Sequence, residues 1–151
     1  MPFLITITTF LTMEGVTWLS HKFLMHGWLW NLHEDHHNKK AGSILERNDT
    51  FFIIFAIPSI LLFAAGTFLP GWSTALYIGL GIFFYGLGYF LVHDIFIHQR
   101  FKLFTRSNNF YLRAIRKAHK MHHKHLGPED GECFGMLWVP LKYFREELKR
   151  V

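Results

Sequence analysis

Long, uncharged and mostly apolar runs occupy three stretches of this chain. From Thr50 to His93 there is no Lys, Arg, Asp or Glu, and Pro70-Gly71 divides that tract into Phe51–Leu69 and Trp72–Val92. Each run is about 20 residues, which at roughly 1.5 Å per residue matches the ~30 Å hydrocarbon layer of a bilayer. A third run, Pro2–Ser20, is interrupted only by Glu14 and leads into His21. It has neither a basic leading segment nor a small-residue cleavage site, so it reads as a retained span and not as a signal peptide. The pattern predicts an all-α integral membrane protein with three transmembrane helices, residues 1–151 forming one domain. The alternative for the central tract is a pair of buried soluble helices, but so short a chain has little mass left to cover both on all sides.

The polar stretches between the runs carry their own signals. The first helix should run past the membrane boundary toward Trp30 and the third toward Gln99, while Asn48-Asp49-Thr50 offers an N-cap for the second. Phe110–His125 sets Leu112, Ile115 and Ala118 among Arg113, Arg116 and Lys117, a helix with one apolar stripe. Gly127–Gly131 is a loop. The tail from Pro140, with Leu141, Phe144 and Leu148 on one side, either lies along the membrane interface or packs back as a terminal helix. A fourth span would have only the short, Pro-interrupted Phe134–Phe144 segment to use, so three is the expectation.

Charge adds an orientation. All 16 basic residues fall in Lys22–Arg47 or Arg100–Arg150. By the positive-inside rule, residues 21–50 and 93–151 share the cytoplasmic side, and the N-terminus faces outward. That bias accounts for the net charge of +5 without nucleic acid. Arg113, Arg116 and Lys117 could receive an acidic electron carrier, or equally anionic lipid headgroups. A hydrophobic fraction of 50% excludes a disordered tail, and the single Cys133 excludes both a disulfide framework and a thiolate metal cage.

The candidate chemistry is imidazole. Ten of the 11 histidines fall into two spacings that occur twice in the same order: His21-x4-His26 then His33-x2-His36-His37, and His93-x4-His98 then His119-x2-His122-His123. His125 stands outside the pattern. On a helix, positions i, i+3 and i+4 share a face, so each triplet can aim three rings at one region, its adjacent pair reaching two neighbouring ions. The H-x4-H pairs are harder to place, because i and i+5 lie about 140° apart on an α-helix. A π-bulge or a helix end at Met25 or Ile97 is therefore expected. So many imidazoles exceed the needs of one tetrahedral zinc or one haem, which leaves a dinuclear centre. Imidazole suits Zn, Cu, Fe and Ni alike. A redox metal fits a site beside a membrane, where substrates are apolar and offer no leaving group.

Three acids are candidates to support that centre. Glu14 lies two turns before His21 on nearly the same face, placed to orient a ligand, pair with a buried proton donor or carry protons. Asp94 can accept an Nδ1–H from a ligating histidine, and Asp35 is a candidate of the same kind.

The segments Met13–His37, "VHDIFIHQR" and "RKAHKMHH…GECFGMLWVP" resemble the bacterial β-carotene hydroxylases of the fatty-acid hydroxylase and sterol desaturase superfamily. The likeness covers nearly the whole chain and matches all ten histidine positions. It implies a non-haem di-iron monooxygenase of the bacterial inner membrane that inserts oxygen at C3 of carotenoid β-rings, using dioxygen and a ferredoxin-type or other electron donor. The implied iron ligands are His21, His26, His33, His36, His37, His93, His98, His119, His122 and His123. Zinc can occupy such a site in purified protein. The alternatives are an acyl or sterol hydroxylase or desaturase, or a histidine-rich metal-binding membrane protein without oxygenase activity. A rigid polyene must lie along a groove between spans, and Trp18, Met25, Phe84, Tyr89 and Phe90 are candidate walls. Glycines 79, 81, 86 and 88 would permit close approach of helix or substrate.

Overall fold

The computed structural model describes residues 1–39 and 45–149. Among them are six helices and no strand: α1 (Pro2–Trp28), α2 (Trp30–His37), α3 (Asp49–Phe68), α4 (Ser73–Ile97), α5 (Phe110–His122) and α6 (Leu141–Leu148). Helices α1, α3 and α4 are long and apolar enough to cross a membrane, and no other helix among the described residues is. The Phe134–Phe144 segment is not a fourth span, since it is non-helical up to Pro140 and continues into an α6 of only 8 residues.

Helix α4 packs against both α1 and α3. Glycine lets the backbones meet. A Cβ on Gly81 would sit 2.7 Å from the Thr6 carbonyl of α1, and one on Gly79 would sit 3.0 Å from the Ser59 carbonyl of α3. Hydroxyls add polar fastening at the same contacts, Thr6 donating to Tyr77 O at 3.2 Å and Ser59 to Gly79 O at 2.9 Å. The other two glycines of the expected set do not bring helices together: Gly86 lines a cavity, and Gly88 meets only the edge of Phe10 at 3.9 Å.

Both long helices that carry an H-x4-H pair end in π-helix, over Ser20–Trp28 and Phe90–Ile97. The i→i−5 bonds are explicit in Leu29 N–H to Leu24 O at 2.8 Å and His98 N–H to His93 O at 2.9 Å. With 5 residues to each hydrogen-bonded turn, the paired histidines come onto one face, as their spacing requires. A kink at Gly27 (φ −121°, ψ −115°) then turns the chain into α2.

The membrane-boundary cap is α5 lying on α6. Ala114, Ile115 and Ala118 are buried with Cys133, Val139 and Tyr143, and Tyr111 stacks on Phe144 at 5.6 Å. The tail is therefore a packed terminal helix. This packing uses the cations expected to face a partner: Arg113 pairs with Glu147 at 3.0 Å, Lys117 with Glu146 at 2.6 Å, and Arg116 donates to the carbonyls of Phe96, Phe104 and Thr105. They fasten the cap internally.

Gly81→Ala should destabilise the α1–α4 contact by about 1–3 kcal/mol, because backbone stands where the methyl would go. Gly86→Ala, with nothing within 4 Å of its Cβ, should be close to neutral. Thermal unfolding of the two variants in detergent checks the contrast.

Candidate metal centre

Four elements deliver the histidines to one buried volume. The π-helical end of α1 carries His21 and His26, and α2 carries His33, His36 and His37. The end of α4 carries His93 with His98 just beyond it, and α5 carries His119 and His122 with His123 at its C-cap. Two groups result, each with its ring nitrogens within 4.8 Å of one another: His21, His26, His33, His37 and His122; and His36, His93, His98 and His119. His123 joins the second group, its Nε2 lying 2.9 Å from His119 Nε2. The two sequence halves do not each build a site alone. The middle histidine of each triplet, His36 or His122, crosses to the other half's group, so the two groups interlock.

The tautomers follow from what the outer nitrogens face. Nδ1 of His21, His26, His37 and His122 lies against the carbonyls of Phe134, Pro128, His125 and Glu132 at 2.8–3.1 Å. Nδ1 of His36 faces Glu46 at 2.7 Å, that of His93 faces Asp94 at 3.3 Å, and that of His33 faces Asn48 Oδ1 at 2.6 Å. These oxygens only accept, so the proton sits on Nδ1 and the lone pair on Nε2. Yet Nε2 faces Nε2 at 3.0 Å in His21–His33, 3.2 Å in His26–His122 and 3.3 Å in His36–His93. Lone pair thus meets lone pair, with no proton to bridge them. His37 Nε2 is buried with no hydrogen-bond partner among the described residues.

A cation between these nitrogens resolves the conflict. Two nitrogens about 2.1 Å from one ion and 90–109° apart are about 3.0–3.4 Å from each other, which is the spacing found. The donor set therefore fits two metal ions, one per group.

Burial keeps the rings ready to ligate. It pushes the imidazoles of His33 and His123 down to about 2, His122 to about 3 and His37 to about 4, so all are neutral at pH 7.

The candidate acids have distinct places. Asp94 bonds His93. Among the described residues no hydrogen bond joins the Asp35 carboxylate to a histidine ring; it accepts from Arg47 N–H at 2.6 Å and Asn48 N–H at 3.4 Å, shaping the turn that presents Asn48 to His33. Glu14 also bonds no histidine. It accepts from the Tyr85 hydroxyl at 2.7 Å and from Leu137 and Trp138 N–H at 2.8 and 2.9 Å. It thereby ties the Glu132–Val139 segment, whose carbonyls hold His21 and His122, to α1. Between the two inward carbonyls of Glu132 and Phe134, Cys133 adopts φ 63°, a strained conformation for a non-glycine residue.

Glu46, Asn48 and the loop carbonyls were not singled out by sequence reasoning as site groups. Asn48 occupies the N-cap position of α3 but makes no side-chain cap; its amide oxygen is committed to His33 instead. The loop carbonyls carry no residue-type signature at all.

A cavity of about 630 Å³ opens between α1, α3 and α4 and reaches His93, Asp94 and Arg100 at one end. Of the five candidate walls, Met25, Tyr89 and Phe90 line it. Trp18 and Phe84 do not: Trp18 packs on Phe23 and Phe134 with Lys22 over its ring, and Phe84 packs on Phe83 at the exposed face. Met13, Phe51, Phe55 and Ile82 are among the other residues of the wall.

Keeping these histidines neutral has a pH cost of definite sign. The unfolded chain protonates each near pH 6.5, whereas the folded chain resists until about 2 to 4, so stability is lost as pH falls below 6.5. The thermal midpoint of metal-depleted protein in detergent should fall steadily from pH 7 to pH 5, and a flat profile would contradict the assigned burial.

Residues 6–141 match the fatty acid hydroxylase family. The chain is 40% identical over 136 residues to a beta-carotene hydroxylase of Pseudescherichia vulneris, covering 90% of this chain and 76% of that one. It is 35% identical over 150 residues to a beta-carotene hydroxylase of Paracoccus sp. (strain PC1), covering 98% and 91%. A chloroplastic beta-carotene 3-hydroxylase 2 of Arabidopsis thaliana is 38% identical over 135 residues, which are 87% of this chain and 44% of the plant protein. No solved structure matches. With two buried histidine groups that could each hold a metal ion and a family match across residues 6–141, this chain belongs to the fatty acid hydroxylase family.

Proposed function

We propose that this protein is a membrane di-iron monooxygenase that hydroxylates carotenoid β-rings at C3, taking β-carotene through cryptoxanthin to zeaxanthin with dioxygen and electrons from a ferredoxin-type donor. It acts in the inner membrane of a bacterium, N-terminus outside, with the metal centre on the cytoplasmic side, where the basic residues gather. The observation that carries the reading is the apolar cavity that starts among the spans and ends at a cradle histidine, His93. The names of the bacterial and plant relatives favour a carotenoid over an acyl chain or sterol.

The chain's own residues select and place the substrate. The polar side chains beside the cavity are turned to internal partners: Ser59 to Gly79 O, Tyr85 to Glu14, and Asp49 and Asp94 to Arg100. What remains for a guest is mostly hydrocarbon, and about 630 Å³ lies within the ~300–1,000 Å³ range of small-molecule sites. Packed aromatic walls hold a rigid polyene in line, so the ring at its end meets the His93 side of the cradle and little entropy is lost on orientation. Iron, when bound by the two histidine groups, supplies the oxidation of an unactivated C–H bond with dioxygen. The Nδ1 acceptors of His21, His26, His33, His36, His37, His93 and His122 hold those rings in the ligating tautomer, the π-helical segments bring the H-x4-H pairs onto one face, and the apolar wall keeps bulk water from the reacting carbon.

Expression in β-carotene-producing bacteria should yield mono- and dihydroxylated carotenes by chromatography and mass spectrometry, and His122→Ala should abolish them. Unchanged β-carotene in the presence of iron-loaded protein and a working electron donor would overturn the substrate assignment. Gly86→Leu starts a side chain in the cavity, where a Cβ meets nothing within 4 Å. It should cut hydroxylation at least about tenfold while two metal ions per chain are retained.

A further inference from the structure

The two histidine groups differ in what holds their outer nitrogens. In the group of His21, His26, His33, His37 and His122, every acceptor is neutral: four main-chain carbonyls and the Asn48 amide. In the group of His36, His93, His98 and His119, the acceptors found are carboxylates, Glu46 on His36 at 2.7 Å and Asp94 on His93 at 3.3 Å.

One residue links those two carboxylates. The Arg100 guanidinium lies 3.0 Å from Glu46, 3.1 Å from Asp94 and 2.6 Å from Asp49. Its side chain is only 10% exposed. Lys39 adds a second cation, 3.0 Å from Glu46. Three carboxylates against two cations leave one negative charge beside this group, where its counterpart has only neutral dipoles. Arg100 also bridges parts of the chain far apart in sequence, because Glu46 and Asp49 belong to the entry to α3, whereas Asp94 belongs to the end of α4.

We infer that Glu46 and Asp94, held in register by Arg100, make the metal position of His36, His93, His98 and His119 the tighter and more electron-rich of the two, and that Arg100 is a positioning residue for it. An imidazole whose N–H is given to a carboxylate is a more basic ligand than one bonded to a carbonyl, and loss of such a partner typically weakens a metal by about 10–100-fold. The tighter position is also the one facing the substrate cavity, through His93. The centre is thus polarised along the cavity axis. This rests on the dinuclear reading of the cradle and is independent of the substrate's identity.

Cobalt(II) titration of metal-depleted protein in detergent, followed by its ligand-field absorption, tests the inference without turnover. The intact chain should take up two ions in two steps whose dissociation constants differ by about 10–100-fold. His98→Ala should remove the tighter step and His21→Ala the weaker, which assigns them. Glu46→Gln keeps an oxygen for the His36 N–H but removes the charge. It and Asp94→Asn should each weaken the tighter step about tenfold or more and leave the weaker step in place, which also reports an intact fold. Arg100→Gln should do the same, with Arg100→Lys restoring much of the affinity and the original spectrum. Two steps of equal affinity in the intact chain, or equal weakening of both steps in Glu46→Gln and Asp94→Asn, would overturn the inference. Uptake of fewer than two ions would overturn the dinuclear reading with it.

Discussion

The structure depends on one electrostatic constraint: imidazole lone pairs aimed at one another in a buried volume. Carbonyls and carboxylates outside the cradle take the Nδ1 protons and so force the Nε2 lone pairs inward, as in His21 facing His33 at 3.0 Å. Without a cation that arrangement is repulsive and desolvated at once. With one, the same nitrogens become the edges of a coordination shell. Metal affinity and folding of the cap are therefore linked, since the groups that fix the tautomers come from the entry to α3, from α4 and from the loop after α5.

That constraint explains features with no evident reason of their own. The π-helical ends of α1 and α4 sacrifice ideal α-helical bonding to bring His21 beside His26 and His93 beside His98. The left-handed Cys133 lets Glu132 and Phe134 both turn their carbonyls to histidines. Glu14, an acid inside an otherwise apolar span, anchors the same segment by two backbone amides and the Tyr85 hydroxyl. A half-buried carboxylate in an apolar span is costly unless its oxygens are engaged, and both oxygens of Glu14 accept hydrogen bonds. Its task is to hold the lid of carbonyls over the cradle.

The membrane part solves a different problem. Glycine contacts at Gly79 and Gly81 draw α3 and α4, and α1 and α4, close together over one part of their length. Toward the histidine end the helices separate around a cavity walled by Phe51, Phe55, Ile82 and Phe90. Close packing away from the metals and open space beside them come from where the small residues stand along α4. The carboxylates that line the metal end, Asp49 and Asp94, are both paired with Arg100, so they are engaged internally and not turned to an apolar guest.

Charge-free length determined the three spans, because a bilayer admits little else over 20 residues. Repeated spacing determined that ten histidines act together, and the mismatch of H-x4-H with α-helix geometry determined that both long helices leave α-form at their ends. Those are local properties, readable from one dimension. The tertiary structure alone decided that His36 and His122 change partners, because crossing between groups depends on how α2 and α5 face each other and not on spacing within either. It also decided that Asn48 serves His33 instead of capping α3, that Trp18 and Phe84 stand outside the cavity, and that Arg113, Arg116 and Lys117 are spent on α6 and nearby carbonyls. The groups that orient the ligands are mostly main-chain oxygens. Every residue has one, so only the path of the backbone through space could say which of them meet a histidine.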